Sequence, residues 1–363
     1  MAIGGLQPGR CLPIVSDPNR HANRVGISVG SACAGHCGSG ACREMEDDLM
    51  IRAIQYRRFG GPEVLEMADV AAPAPGNGEI RLAVKAAGLN PVDWKIFSGA
   101  TGGDASTLPQ GVGRDYSGLV EAVGEGVADF AVGDAVLGTV RGAPGVGMVS
   151  GSLAEALVVP ADWAVRKPDA LGFHEAAALG VAAQAASGAL RTLELSEGDV
   201  IVVSGASGGV GSLAVQLAVR RGAAVIGIAG ERNADYLRSL GAIPVAYGEG
   251  VESRVEAAAP APITKLLDCH GAEYVALALK LGLTPGAVAT LVPSREAAAM
   301  GAQVTGSRRA RPDDLRQAAG LVAQGAVEVS IAGVYPFEAE AVRDAYTELR
   351  GGHVRGKLVV DVS

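Results

Sequence analysis

The run Val200-Ile-Val-Val-Ser-Gly-Ala-Ser-Gly-Gly-Val-Gly-Ser-Leu-Ala-Val-Gln-Leu-Ala-Val219 sets an apolar strand directly against a glycine cluster and follows it with an amphipathic helical stretch. Strand, glycine turn and helix in that order form a phosphate-cradling turn, because a helix N-terminus offers unbonded N–H groups and a partial positive charge. In register the fingerprint is Ala206-x-Gly208-x-x-Gly211, with Ala in place of the usual first glycine. Gly208 lets the backbone approach a pyrophosphate and Gly211 lets helix and strand pack closely. Ser207, Gly209 and Val210 complete the expected cofactor-binding stretch. A tight turn of purely structural use is the other reading of the glycines, and the surrounding pattern weighs against it.

Outward from the turn, strands are expected at Val200–Ser204, Val225–Ala229, Pro244–Ala246, Lys265–Cys269 and Ala287–Val292, with helical patterns at Gly209–Arg221, Asn233–Leu240 and Glu273–Leu281. Alternation of this kind predicts an α/β fold with a doubly wound parallel sheet. Earlier in the chain, Ile51–Tyr56, Glu79–Ala87, Ser117–Gly124, Ala135–Thr139 and Leu153–Val159 read as short strands separated by Gly and Pro, which predicts a partly closed β module up to about residue 170. Helical patterns at Pro312–Ala323 and Glu338–Leu349 and a strand at Gly356–Val362 suggest that the chain returns to that first module.

The strand after the glycine helix discriminates between dinucleotides. An Asp or Glu at its end, about 20 residues past the turn, accepts hydrogen bonds from the adenosine ribose of NAD. Here that position is Ala229, followed by Gly230, Glu231 and Arg232. No carboxylate stands there to repel a 2′-phosphate, Gly230 leaves room for one, and Arg232 is suited to form charge-assisted bonds with it. The expected cofactor is therefore NADPH. An ordinary surface arginine is the other reading of Arg232.

The bulk properties are consistent with a soluble enzyme. The 363 residues suit two domains plus a tail, and 48% hydrophobic with 19% charged residues excludes general disorder. A formal net charge of −8 gives no electrostatic footprint for nucleic acid or an anionic membrane. No segment at the start has the charge, apolar run and cleavage site of a secretory signal, and the Ala-rich run Glu175–Ala186 is short for a bilayer and reads as a buried helix. Four of the five cysteines, Cys11, Cys33, Cys37 and Cys42, precede Met50, so the body of the chain reads as reduced and cytoplasmic. The spacing of Cys33, Cys37 and Cys42 fits neither a zinc ribbon nor the common iron–sulfur patterns, and no metal is expected. Residues 1–49 are read as an extension that need not pack.

Several segments together resemble one family across residues 50–363: Arg58-Phe-Gly-Gly-Pro-Glu-Val-Leu65, Ala87-Gly-Leu-Asn-Pro-Val-Asp-Trp-Lys95, Gly113-Arg-Asp-Tyr-Ser-Gly118, the glycine turn, Leu237-Arg-Ser-Leu-Gly-Ala242 and Gly352-His-Val-Arg-Gly-Lys357. The chain resembles the zinc-free, zeta-crystallin-like quinone oxidoreductase and enoyl reductase branch of the medium-chain dehydrogenase/reductases. That resemblance implies a GroES-like, mostly β catalytic domain, discontinuous over 50–172 and 306–363, clasping a Rossmann domain over 173–305, with NADPH in the cleft and a homodimeric assembly. Zinc-dependent cousins place a Cys in the second segment and Gly-His-Glu in the third. Here those stretches read Gly88-Leu-Asn-Pro-Val-Asp93 and Gly113-Arg-Asp115, and Thr139–Gly151 lacks the four cysteines of a structural zinc lobe.

In similar enzymes the segment holding Asn90 and Asp93 lines the nicotinamide and substrate cleft. Asn90 suits a hydrogen bond to substrate or ribose, and equally the turn before Pro91. Lys95 is the expected acid, able to stabilise a developing enolate or phenolate and then protonate it; a solvated lysine is the other reading. Arg114 and Asp115 are candidates for an ion pair. For Lys357, cofactor contact and solubility at a strand edge are both open. The reading that results is hydride transfer to a small electrophile, a quinone or an α,β-unsaturated carbonyl. Two rivals stand beside it: a trans-acting enoyl reductase of polyketide or lipid biosynthesis, whose partner is an acyl carrier protein, and a catalytically idle NADPH-binding structural or sensing protein.

Overall fold

The computed structural model describes residues 50–141 and 151–363. The extension with its four cysteines, and most of Thr139–Gly151, lie outside the described residues.

Short apolar runs between turns build the first part as strands β1 (Met50–Tyr56), β2 (Leu65–Ala71), β3 (Glu79–Gly88), β4 (Gln110–Gly111), β5 (Asp115–Val123), β6 (Ala135–Thr139), β7 (Ala156–Pro160) and β8 (Ala164–Arg166), with helix α1 (Pro91–Phe97) between β3 and β4. Helices α2 (Phe173–Ala177) and α3 (Gly180–Thr192) lead into an alternation of β9 (Val200–Ser204), α4 (Gly209–Val219), β10 (Ala224–Ala229), α5 (Ala234–Ser239), β11 (Ile243–Ala246), α6 (Val251–Ala258), β12 (Lys265–Asp268), α7 (Ala272–Lys280), β13 (Val288–Thr290), α8 (Arg295–Ala299) and β14 (Gln303–Val304). The chain closes with α9 (Asp314–Ala323), β15 (Ile331–Pro336), α10 (Ala339–Gly351) and β16 (Lys357–Asp361).

The alternating segment forms a parallel sheet in the order β11-β10-β9-β12-β13-β14, which places the reversal of strand order between β9 and β12. Both faces of this sheet are covered. Ile201, Val203, Val225 and Leu267 pack under α3, α4 and α9, while Val202, Ile226, Leu266 and Val288 pack on the opposite side with α7 residues such as Val275. Period-two alternation therefore sends apolar residues to two interiors, and the strands read as continuous apolar runs.

The second large sheet runs β15-β16-β3-β5-β6-β8, with β7 also on β3. The strands β15 and β16 come from the end of the chain; β15 pairs with β16, and β16 pairs with β3 through Val359–Asp361. Here two readings are corrected. Strand β16 is flanked on both sides and Lys357 is only 6% exposed, so a solubility role at a strand edge does not apply. The Ala-rich run does not form one helix either. It breaks between α2 and α3, where the carboxylate of Asp115 accepts the Val181 N–H at 2.7 Å and acts as the N-terminal acceptor of α3. An unbroken helix would have consumed that N–H internally.

Helix α6 and strand β15 had no sequence signal. Only Val255 of α6 is buried, and β15 alternates between half-buried and exposed with a register shift near Gly333. Among the described residues, no helix is long and apolar enough to cross a membrane.

Candidate active site

The glycine turn lies at the carboxyl end of β9, on the crevice side of the switch point, where doubly wound sheets bind their ligands. Gly205 takes a left-handed φ of 57° to reverse the chain, and Gly208 caps α4 with no side chain bonded to the helix N–H groups. The two fingerprint glycines are constrained differently. A Cβ on Gly211 would lie 2.2 Å from the Gly205 carbonyl oxygen, whereas one on Gly208 would meet only that same oxygen, at 3.3 Å. Gly211 is thus required by packing inside the protein, and Gly208 keeps a face clear above the helix start. Ala206 is fully buried under β10, donating its N–H to Ile228, and the Ser207 hydroxyl accepts from Asn233 at 3.1 Å. Gly209 and Val210 form the first turn of α4.

The C-terminal segment braces this turn. Gly356 donates its N–H to the Ser207 carbonyl at 2.8 Å and bridges Gly208. It does so with φ of 81° and so little room that a Cβ would sit 2.1 Å from the Ser330 oxygen. Across the switch point, the buried Asp268 carboxylate accepts from Ser204 at 2.7 Å, from Thr290 at 2.6 Å and from the N–H groups of His270 and Gly271 at 2.9 Å each. The ends of β9, β12 and β13 are thereby pinned to one another. Reading the sequence did not single out Asp268. Its only signal was its position at a strand end.

Beneath the turn lies a buried polar network. The Lys357 ammonium donates to the Leu89 carbonyl at 2.9 Å, to Asn90 Oδ1 at 2.6 Å and to Asp115 Oδ2 at 3.2 Å. An ammonium has three protons, and all three are engaged inside the protein. Lys357 meets the turn with carbon instead: a Cβ on Gly209 would come within 2.7 Å of Lys357 Cδ. Asn90 returns Nδ2 to Asp115 Oδ2 at 2.9 Å. The suspected Arg114–Asp115 pair is replaced by Lys357–Asp115, and Arg114 turns to the Val140 carbonyl at 3.1 Å.

Asp93 belongs to the same cluster. Its carboxylate accepts the Asn90 N–H at 2.8 Å, capping α1, and the Tyr346 hydroxyl at 3.2 Å. Its other oxygen has no hydrogen-bond partner among the described residues, and Asp93 helps line a cavity of about 20 Å³ together with Tyr56, Gln110 and Arg114. Burial pushes Asp93 up to about 7, with the nearby Asp115 adding to the rise. Burial, reinforced by Asp93, also holds the Tyr346 hydroxyl well above its ordinary range. Tyr346 arrives from α10, 253 residues along the chain, and no local motif announced it.

Lys95 stands apart from this network. It is half-buried on α1, its ammonium 5.8 Å from the centre of the Trp94 ring, and Arg350 lies 5.4 Å from the same ring. At the adenosine end, Arg232 is exposed and donates Nη2 to the His353 carbonyl at 2.9 Å. Gly230 faces Tyr247, which is 49% exposed, and Arg355 lies over Tyr236 at 5.3 Å. Tyr247 is thus an aromatic neighbour of Gly230 that the sequence did not single out.

Residues 76–169 match the alcohol dehydrogenase GroES-like domain family, and residues 240–360 match the zinc-binding dehydrogenase family. A quinone oxidoreductase of Sus scrofa is 39% identical over 183 residues, covering 50% of this chain and 53% of that protein, so this alignment spans about half the relative's length. The chloroplast envelope quinone oxidoreductase homolog of Arabidopsis thaliana is 32% identical over 343 residues, covering 86% of this chain and 98% of the relative. The solved quinone oxidoreductase of Coxiella burnetii superposes with a TM-score of 0.76 at 30% identity, over 87% of this chain and all of that one. With the glycine turn at the switch point and the returning C-terminal strands, these likenesses make the chain a member of the quinone oxidoreductase group of the medium-chain dehydrogenase/reductase superfamily, oxidoreductases that work with a nicotinamide cofactor.

Proposed function

We propose that the chain reduces a quinone or an α,β-unsaturated carbonyl with hydride from NADPH, without zinc. The observation that carries this reading is the Lys357 ammonium, 2.6 Å from Asn90 and 3.2 Å from Asp115. A catalytic zinc needs thiolate, imidazole or carboxylate donors around an open position. Here the corresponding segments present an amide and a carboxylate, and a fixed positive charge already holds both. The residues present do not fit a zinc ion. Without a Lewis acid to activate an alcohol, reduction of an electron-poor acceptor is the better match.

The dinucleotide, when bound, supplies the hydride. The chain's own residues bind and orient it. The α4 N-terminus faces the pyrophosphate position, and the missing carboxylate at Ala229, with Arg232 and Tyr247 beside Gly230, favours a 2′-phosphate. Asn90 is 3% exposed, and its amide is spent on Gly88, Asp115 and Lys357, so its part is to hold the network beneath the turn in place. Lys95 is proposed as the proton donor to the reduced acceptor, at carbon for an enone. The proposal includes a cytoplasmic homodimer acting on a small-molecule electrophile, and the edge strand β14, with Val304 47% exposed, offers a surface for a second copy.

The test is dinucleotide oxidation against a panel of quinones, enones and simple alcohols, with metal-free buffer and with added zinc. The expected result is NADPH oxidation by quinones or enones, unaffected by chelator. A preference for NADH, or alcohol oxidation that depends on added zinc, overturns the reading.

A further inference from the structure

At the end of α3 and α4 remote from the glycine turn, a cleft of about 680 Å³ opens between these helices and α9. Helix α4 starts at the turn and has 11 residues, and α3 starts at Gly180, beside Asp115, and has 13, so this cleft lies roughly 15–20 Å from the active-site ends of both. It is a separate feature of the molecule.

Its walls carry Arg191, Arg220, Arg221 and Arg311 against two carboxylates, Asp314 and Glu194, in a chain whose net charge is −8. Two of the arginines have ordinary explanations. Arg191 sits in the last turn of α3 and forms a two-pronged pair with Asp314, at 2.7 and 3.1 Å. Arg220 caps the C-terminus of α4, where a cation offsets the negative end of the helix dipole. Arg311 has neither explanation, and Arg221, next to Arg220 at the same helix end, has no paired carboxylate among the described residues. No hydrogen bond or ion pair engages either guanidinium among the described residues. Burial, with Arg191 adding and Asp314 opposing, pushes Arg221 below the usual arginine range. The floor between them is apolar, with Leu195, Leu217 and Leu321.

We propose that this cleft binds an organic phosphate, with the phosphate between the free guanidinium groups of Arg221 and Arg311 and the apolar body on Leu195, Leu217 and Leu321. Guanidinium forks match phosphate oxygens two at a time, and both guanidinium groups line the same cleft without a partner of their own among the described residues. The apolar floor selects a phosphate carrying an organic group over the bare ion.

The test uses phenyl phosphate as probe and inorganic phosphate as control. Both are titrated calorimetrically into the full chain at constant ionic strength, with the cofactor site saturated by the dinucleotide the enzyme turns over. One saturable site is expected, with phenyl phosphate binding about tenfold or more tighter than phosphate. In Arg221→Gln/Arg311→Gln the affinity falls by about 10–100-fold while turnover is unchanged. If the double variant does not fold, Arg311→Gln alone, at an exposed position, carries the same expectation. Absence of a saturable site, equal affinity in the variants, or equal binding of the two phosphates overturns the proposal.

Discussion

Lys357 Nζ lies 2.6 Å from Asn90 Oδ1 although 267 residues separate them, and the contact joins the last strand of the chain to the start of α1. Asp115, with no exposed surface, completes the arrangement from β5 and carries it on to the Val181 N–H in the first turn of α3. A buried lysine is tolerated here because every proton has an acceptor and one acceptor is charged.

Removing the lysine leaves Asp115 buried without its counter-ion. We expect Lys357→Met to destabilise the protein by about 3–5 kcal/mol, the usual consequence of breaking a buried pair from one side. Adding Asp115→Asn should recover part of that loss. Urea unfolding of the single and double variants measures both, and an additive double variant would show that the two residues are not coupled.

The glycine turn separates a packing glycine from a binding glycine. Gly211→Ala forces a methyl into the Gly205 carbonyl and should cost about 1–3 kcal/mol of stability. Gly208→Ala has an ordinary φ of −79° and meets little, so stability should hold within about 1 kcal/mol while dinucleotide affinity falls about tenfold or more. Thermal unfolding paired with fluorescence titration of the dinucleotide distinguishes them.

Asp93 makes stability depend on pH in a stated direction. Its folded value of about 7 lies above the ordinary carboxylate value, so between roughly pH 4 and 7 the folded state binds more protons than the unfolded one. The contribution from this group is most favourable below that window and is lost as pH rises through it. Denaturant titrations at pH 5 and pH 8 should show a larger fall in stability for the wild type than for Asp93→Asn, which cannot ionise. Matching falls in the two proteins would remove Asp93 as the cause.

Lys95 should affect the two classes of acceptor unequally. A quinone's oxygen takes its proton readily from water, whereas an enone needs one delivered at carbon. Lys95→Ala is therefore expected to slow enone reduction about 10²-fold and quinone reduction much less. Parallel kcat measurements decide it, and equal losses would return Lys95 to a surface role beside Trp94.

Much of the framework was legible in the order of residues. The strand before the turn, the glycine spacing and the βα alternation specify a doubly wound sheet, because these are local patterns whose periods differ between strand and helix. Ala229 and the Asn90 and Arg114 segments likewise showed missing chemistry by residue type alone. Sequence by itself determined which groups were available. It did not determine which groups meet: that Lys357 holds Asn90 and Asp115, that Tyr346 faces Asp93, and that Arg221 and Arg311 line one cleft far from the turn. Those facts follow from burial and long-range pairing, in which an ion or hydroxyl withdrawn from water must find its partner wherever the fold places one.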